Sequence, residues 1–471
     1  MTSFRRAQSN FALDRAIEHA RDLKKPLVIL EALRVDYPFA SDRLHTFLLQ
    51  GMADNARRFE RADVTYFPYA EERPGDGKGL LEALAARACV VVGDDWPCFF
   101  VPRMQAAAAA RLDVRFEVVD SNGLFPMHAT TRVFTTAHSF RVHLQKELKR
   151  HLEAFPNDVP LRGLRLPRYA LPQALLRRWP RAPMSLLEAK PEAIARLPID
   201  HSVPAVARHG GSTAAHARLA LFIDEKLEHY AHSRNQPEVD GTSALSPWLH
   251  FGHVSTHEIF RALAKQQRWS PKVLGSSIGG AKEGWWKLSP AAEAFVDQLV
   301  TWRELAFNFS SHRPDDFTSF DALPAWAKHT LTTHEADRRP HLYSREDLEH
   351  ARTHDALWNA AQTQLVREGW FHNVLRMLWG KKILEWSKTP REALATMEYL
   401  MGKYSLDGRD PVSWAGYLWV LGRYDRPWGP ERPIFGTVRF MSSENTARKI
   451  RVKNYVKKYA PAPLGSTGAT R

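Results

Sequence analysis

The apolar residues of this chain repeat with two different periods, and the switch between them constrains the fold more than any other feature. Through the first 125 residues, continuous apolar runs alternate with stretches of helical spacing. Residues 11–23 carry apolar or small side chains at helical intervals, and residues 26–30 (PLVIL) form an unbroken apolar run. Such a run is the mark of a strand buried on both faces. The alternation continues as helix over 43–59, strand over 64–69, helix over 79–87, strand over 89–92, helix over 103–111 and strand over 114–119. Residues 1–125 are therefore expected to form an open-sheet α/β domain. From about residue 206 the period is helical almost throughout, so residues 206–471 predict a large all-helical domain. Residues 126–205 hold one helix within 131–155 and then recurrent prolines, and they read as an ordered, irregular connector.

One local feature departs from this pattern. An α/β domain of this kind opens on a strand, whereas residues 1–10 are polar and lead directly into a helix. Either the first strand is absent or the polar segment stands in its place. Asp94 and Asp95 follow the third apolar run, where an α/β domain places site residues, although capping of the next helix explains them equally well.

Composition narrows the function classes. Lys and Arg number 66 against 52 Asp and Glu, a formal charge of +14 that favours polyanions. Two cysteines, Cys89 and Cys98, are too few for a disulfide framework, and a reducing, cytoplasmic setting is expected. No apolar run reaches the length of a membrane-crossing helix. His-Glu-x-x-His and Gly-x-Ser-x-Gly do not occur, so neither a zinc hydrolase nor a serine hydrolase has support, and no metal site is expected. Fifteen Trp and 24 Phe need burial, a flat ligand, or both.

Four groups of residues could carry chemistry. Residues 240–247 (DGTSALSP) precede an aromatic helical stretch, and Gly, Thr and Ser at a helix start make a phosphate cradle or an ordinary capped loop. Trp379 and Trp386 lie seven apart on one helix face, near Trp358 in sequence; they read as a core stripe or as an electron path. Gln298 and Trp302 are four apart on an expected helix over 290–309 and share a face. Arg376, on the Trp379 helix, and Asp407, in the turn after residue 404, could pair beside a flat ligand or belong to a plain surface turn. A helix capped by Ser212 is expected to run to about residue 230.

These segments together resemble the photolyase/cryptochrome family, and within it the class II cyclobutane-pyrimidine-dimer photolyases. The resemblance rests on TSALSPWLHFG (242–252), THDALWNAAQ (353–362), RMLWGKKILEW (376–386), YSLDGRDP (404–411) and ERPIFGTVRFM (431–441), with a weaker match at DSNGLFP (120–126). It spans residues 1 to about 460. It implies an α/β antenna domain followed by a helical domain that binds FAD noncovalently and DNA; it leaves any antenna chromophore unidentified. By position, Tyr230, Thr242, Ser243, Leu245 and Ser246 fall where the family holds the flavin or its phosphates. Arg376 and Asp407 match the pair lining the ring system. Trp379 and Trp358 resemble the inner electron path and Trp386 its outer partner. Trp302 and Trp419 match the residues packing around a flipped-out dimer. The implied activity is light-driven splitting of cyclobutane pyrimidine dimers in duplex DNA, by a monomer with no membrane partner.

Two matched positions differ from the family pattern. The class II Glu-Glu-Leu appears here as Asp297-Gln298-Leu299, and the Leu-Asn-Asp-Lys-Tyr stretch as Leu400-Met401-Gly402-Lys403-Tyr404. Gln298 cannot supply a proton or a charge, and Met401 offers no amide to flavin N5. Repair weakened by these two residues is expected, and a cryptochrome-like or repurposed flavoprotein with little repair is the alternative. Met1 aligns just after the family's first strand, so either that strand is expected to be absent or the start of the sequence lies too late.

Overall fold

The structure, a computed structural model, describes residues 1–461, which form two compact units. The first takes residues 1–228, 243–314 and 409–412; the second takes 229–242, 315–408 and the chain from 413. An α/β region opens the chain and helices dominate the remainder, as the two periods predict.

The α/β region runs α1 (Phe11–Asp22), β1 (Val28–Leu33), α2 (Asp42–Phe59), β2 (Thr65–Ala70), α3 (Leu80–Ala85), β3 (Val90–Asp94), α4 (Val101–Ala109) and β4 (Arg115–Val119). Asn10 starts α1 by accepting the N–H groups of Ala12 and Leu13, and Leu13, Ile17 and Ala20 form the buried stripe. That stripe packs on Ile29 of β1 and Tyr66 of β2 together with Phe59. The opposite face of β2, Phe67 and Tyr69, packs with Leu80 and Trp179. β1 pairs in parallel with β2, from Val28 opposite Thr65 to Leu33 opposite Ala70. β3 pairs in parallel with β4, from Val90 opposite Arg115 to Asp94 opposite Val119. The described strands thus make two separate two-stranded sheets.

The polar segment at the start does not form a strand. It is held by side chains instead. The Asp94 carboxylate accepts the backbone N–H groups of Thr2, Ser3 and Phe4 at 2.6, 2.8 and 3.0 Å. Arg6 donates to the carbonyls of Ser9 and Gly252, both at 3.1 Å, and to Ser121. Asp94 is therefore an anchor for the opening segment, while Asp95 contacts His128 at 2.8 Å.

Two helical expectations change in detail. Gly211, not Ser212, is the cap of the helix Ser212–Leu221, and the Ser212 hydroxyl donates to the His253 carbonyl at 2.7 Å. That helix then widens into a π-turn, Phe222–Lys226. The expected helix over 290–309 is likewise interrupted: Pro290–Val296 leads into a π-turn, Asp297–Trp302, and then into Arg303–His312. In the second unit the helix Asn373–Trp386 packs between Ala356–Glu368 and Pro390–Tyr404. Gly380 permits close approach there, since a Cβ at that position would overlap Val420. No helix among the described residues is long and apolar enough to cross a membrane.

Candidate functional site

Three tryptophans from two neighbouring helices meet inside the second unit. Trp358 comes from Ala356–Glu368, and Trp379 and Trp386 from Asn373–Trp386. The Trp358 and Trp379 rings lie 6.4 Å apart, with planes 1° from parallel. Trp386 meets Trp358 edge-on at 5.5 Å. The indole N–H groups are fixed as well: Trp358 donates to the Trp379 carbonyl at 3.0 Å and Trp379 to Gln362 at 2.9 Å. All three are at most 2% exposed. Sequence reading missed how the chain of rings continues. Tyr343 contacts Trp386 at 5.3 Å, and its hydroxyl lies 2.7 Å from Nδ1 of the exposed His354. No motif flags Tyr343, which sits outside both tryptophan helices.

Arg376, on the helix that carries Trp379, pairs with Asp407. Nη2 of Arg376 lies 3.1 and 3.3 Å from the two Asp407 oxygens, and the Ser405 hydroxyl donates to Asp407 at 2.6 Å. The turn carrying Asp407 is clamped by Ser413, whose hydroxyl donates to the Asp407 carbonyl at 2.8 Å, and by Tyr417, which donates to the Gly408 carbonyl at 2.9 Å. It also presses on Met401: a Cβ at Gly408 would overlap the Met401 carbonyl. Met401 is itself buried. Two donors here are unspent. Nε of Arg376 is buried with no hydrogen-bond partner among the described residues, and so is Nε2 of His372, one helical turn earlier. Burial pushes the His372 imidazole down to about 4, so at neutral pH it is uncharged. Because Nδ1 accepts the Val374 N–H at 3.3 Å, Nε2 carries the proton. Such donors can serve a polar edge brought against them.

The loop expected to hold phosphate is ordered by arginines. Arg218 donates to the Ser243 carbonyl at 2.7 Å, and Arg208 reaches the Ala244 carbonyl at 3.5 Å. Ala244 adopts a left-handed φ of +51°. Leu245 is buried and Ser246 begins the short helix Ser246–His250, leaving Ser243 and Ser246 half-buried. Tyr230 and Thr242 belong to the second unit and Ser243, Leu245 and Ser246 to the first. Tyr230 is buried beneath Arg234, whose guanidinium lies 5.7 Å from its ring.

Gln298 and Trp302 lie at the second residue and the end of the π-turn in the first unit, both half-buried. A π-turn re-aims side chains relative to an α-helix and is frequent at functional sites. Asp297 beside them pairs with Arg141 at 3.0 Å. Trp419, in the second unit, is half-buried near the end of Pro411–Val420. A further group went unnoticed in the sequence. Trp428 is 37% exposed, with the guanidinium groups of Arg426 and Arg439 at 4.7 and 5.3 Å from its ring. Such an exposed, cation-flanked aromatic suits nucleic acid, because it offers a stacking surface between two phosphate-seeking charges.

No family model matches the chain. The chain is 35% identical over 457 residues to a deoxyribodipyrimidine photo-lyase of Methanothermobacter thermautotrophicus, covering 96% of this chain and 91% of that protein. It is 34% identical over 472 residues to the enzyme of that name from Oryza sativa subsp. japonica, covering 96% and 85%. For the one from Potorous tridactylus the identity is 32% over 475 residues, covering 98% and 81%. In fold the chain is similar to a class III photolyase of Agrobacterium tumefaciens, with a TM-score of 0.66 at 18% identity, covering 98% of this chain and 85% of that one.

Proposed function

The chain belongs to the photolyase/cryptochrome family and is a photolyase-like enzyme, and on that premise we propose that it binds FAD and splits cyclobutane pyrimidine dimers in duplex DNA under light. The observation that carries this reading is that one helix, Asn373–Trp386, bears both Trp379, stacked on Trp358, and Arg376, paired with Asp407 and left with an unspent donor. FAD, when bound, supplies the light-driven electron donation to the lesion. The protein's part is to hold, orient and connect.

Arg376 and Asp407 would line the ring system, with Arg376 Nε and His372 Nε2 free to donate to its polar edge. In the first unit Ser243 and Ser246 supply hydroxyl and backbone donors for the phosphates, and Leu245 an apolar wall. Trp379, Trp358 and Trp386 carry electrons inward from the surface, with contacts of 5.5–6.4 Å between rings. The net charge of +14 draws in the phosphate backbone. Trp428 between Arg426 and Arg439 stacks on a base or fills the space left by an extruded pair. In the first unit Trp302 packs against the dimer and the Gln298 amide hydrogen-bonds its carbonyls. Gln298 holds the lesion without donating a full proton, and Met401 leaves the flavin without an amide there. Both slow repair.

Purified protein is expected to carry flavin absorption bands, or to acquire them on addition of FAD. Blue light with an external reductant then bleaches those bands, and Trp379→Phe slows the bleaching at least ~tenfold while keeping most of the packing volume. Anaerobic illumination of dithionite-treated protein with a dimer-containing oligonucleotide restores absorbance at the base band. Flavin binding without any recovery of base absorbance, in wild type and in the Gln298→Glu/Met401→Asn double variant, would assign the chain to the non-repairing flavoproteins of the family.

A further inference from the structure

The π-turn Asp297–Trp302 of the first unit has α-helix on both sides, and a single widened turn inside a helix persists only where other contacts hold it. Its exit is held by Arg303, which is buried, donates to the Asn122 carbonyl at 2.7 Å and lies 4.2 Å from the Phe307 ring. Its entry is held by Arg141, a buried residue of the helix Ala137–Glu147. Nε of Arg141 donates to the Asp297 carboxylate at 3.0 Å, and Nη2 lies 3.0 Å from the same oxygen. Nη1 donates to the Gly280 carbonyl at 3.2 Å.

The support behind Arg141 is itself fixed. Gln145, one helical turn further on, accepts the Gly280 N–H at 2.7 Å and donates to the Ala281 carbonyl at 3.0 Å. Gly280 has a φ of +70°, and a Cβ there would overlap Val142 and His138 of the same helix. Only glycine lets this segment lie so close. The Asp297 carboxylate is thus spent on a guanidinium that is anchored from two sides, and the half-buried Gln298 follows it directly in the chain.

We propose that the Arg141–Asp297 pair is a latch on this π-turn, and that both are positioning residues for Gln298. The proposal rests on the dimer contact proposed above for Gln298. With the latch released, the turn tightens toward an α-helix. Gln298 then rotates about the helix axis relative to Trp302 by roughly 100°, the share of one residue. Trp302 stays in place, because Arg303 still holds the exit. A hydrogen bond from the Gln298 amide to a dimer carbonyl is directional and does not survive such a rotation. The latch therefore sets selectivity for the lesion over undamaged duplex, and leaves the phosphate contacts that both duplexes share.

The test is binding in the dark to duplexes with and without a cyclobutane dimer, read as the ratio of the two Kd values. The ratio cancels a change of one charge, which acts on both duplexes alike. Asp297→Ala removes the acceptor without stranding an acid. It is expected to lower the selectivity roughly fivefold, as far as Gln298→Ala does. Asp297→Asn keeps an oxygen for Arg141 Nε and retains most of the selectivity. Adding Asp297→Ala to Gln298→Ala lowers it no further, because the latch acts through Gln298. Amide exchange over residues 298–302 gives a reading that needs neither DNA nor flavin: it quickens at least ~tenfold in Asp297→Ala and not in Gln298→Ala. Unchanged exchange in Asp297→Ala would overturn the latch. Equal loss of selectivity in Asp297→Asn and Asp297→Ala, or a further loss in the double variant, would overturn the positioning role. Quickened exchange with full selectivity in Gln298→Ala would leave the latch standing and remove the dimer contact of Gln298 instead.

Discussion

Arg6 is buried in the first unit and Arg376 half-buried in the second, and they are used in opposite ways. The Arg6 guanidinium is 1% exposed and spends its donors on Ser9, Gly252 and Ser121. Burial lowers its pKa to about 10, against the opposing pull of Glu258 and Asp94, so it remains charged at neutral pH. Arg376 spends one nitrogen on Asp407 and leaves a buried Nε without a partner. A fully satisfied buried charge ties chain segments together. A half-buried charge with a spare donor can serve one more acceptor.

The largest expected effect separates these two uses. Arg6→Ala removes a buried charge and strands several carbonyls, at a cost of about 3–5 kcal/mol in unfolding free energy. Flavin binding per folded molecule is unchanged in that variant. Arg376→Ala reverses the outcome: flavin affinity falls at least ~tenfold and stability moves less than in Arg6→Ala. Denaturant unfolding and flavin titration on both variants check this. Loss of flavin from both, or from neither, would break the contrast.

A second, smaller contrast lies in the histidines. In the first unit burial pushes His45 down to about 4 and His253 and His257 to about 3; in the second it pushes His372 to about 4. Each is lowered on folding, so each contributes stability that is whole above the ordinary value of 6.5 and drains away as pH falls toward the folded value. Glu304 acts in the opposite sense: burial raises it to about 8, so its contribution is whole below 4.5 and is lost as pH rises through 8. Tm is therefore expected to fall steeply below pH 6.5. His253→Gln should flatten that fall, since the Gln oxygen can accept the Gly211 N–H now taken by His253 Nδ1 at 3.0 Å. An unchanged slope of Tm against pH would remove His253 from the account.

How much of this was legible in the sequence follows the same division. Regular elements were readable because period survives in the residues: every strand and helix expected in residues 11–119 forms, with ends displaced by up to three residues. The pairing of strands was not readable, because an apolar run such as PLVIL does not name its neighbour. The absence of a strand at residues 1–10 was readable, but its replacement by Asp94 and Arg6 depends on contacts across about 90 to 246 residues. Around the site, Trp358, Trp379 and Trp386 could be proposed as neighbours from helical spacing and resemblance. Tyr343 and Trp428 could not, since each lies in irregular backbone where no period applies. The π-turn under Gln298 also left no trace, because one widened turn barely disturbs an apolar stripe.

Trp428 offers the next smaller effect. Trp428→Ala removes an exposed ring between two guanidinium groups, and duplex affinity should fall by ~1–3 kcal/mol with little change in Tm. Arg426→Ala, removing one phosphate contact, should in addition reduce the slope of log affinity against log salt by about one. Affinity and salt slope unchanged in both variants would return this group to the solvated surface.

The smallest effect concerns Gln298, proposed above to contact the dimer. Gln298 sits half-buried on the π-turn beside Asp297, whose charge is balanced by Arg141 at 3.0 Å. Gln298→Glu places a carboxyl next to that carboxylate. Partial burial raises its pKa, so part of it keeps a proton that an amide lacks. A carboxylic acid donates a stronger hydrogen bond to a carbonyl that gains negative charge as the dimer opens. One such bond gained is worth about 1 kcal/mol, or roughly fivefold in rate. The direction with pH is fixed by the same argument: the gain is larger at pH 6 than at pH 8, because only the protonated carboxyl donates. Wild-type Gln298 has no such dependence, so the ratio of variant to wild-type rates isolates it. The measurement is recovery of base absorbance under anaerobic illumination at both pH values. A ratio of one at both would mean that the amide already supplies all the hydrogen bonding the dimer uses, and that Gln298, like Arg6, is finished scaffold.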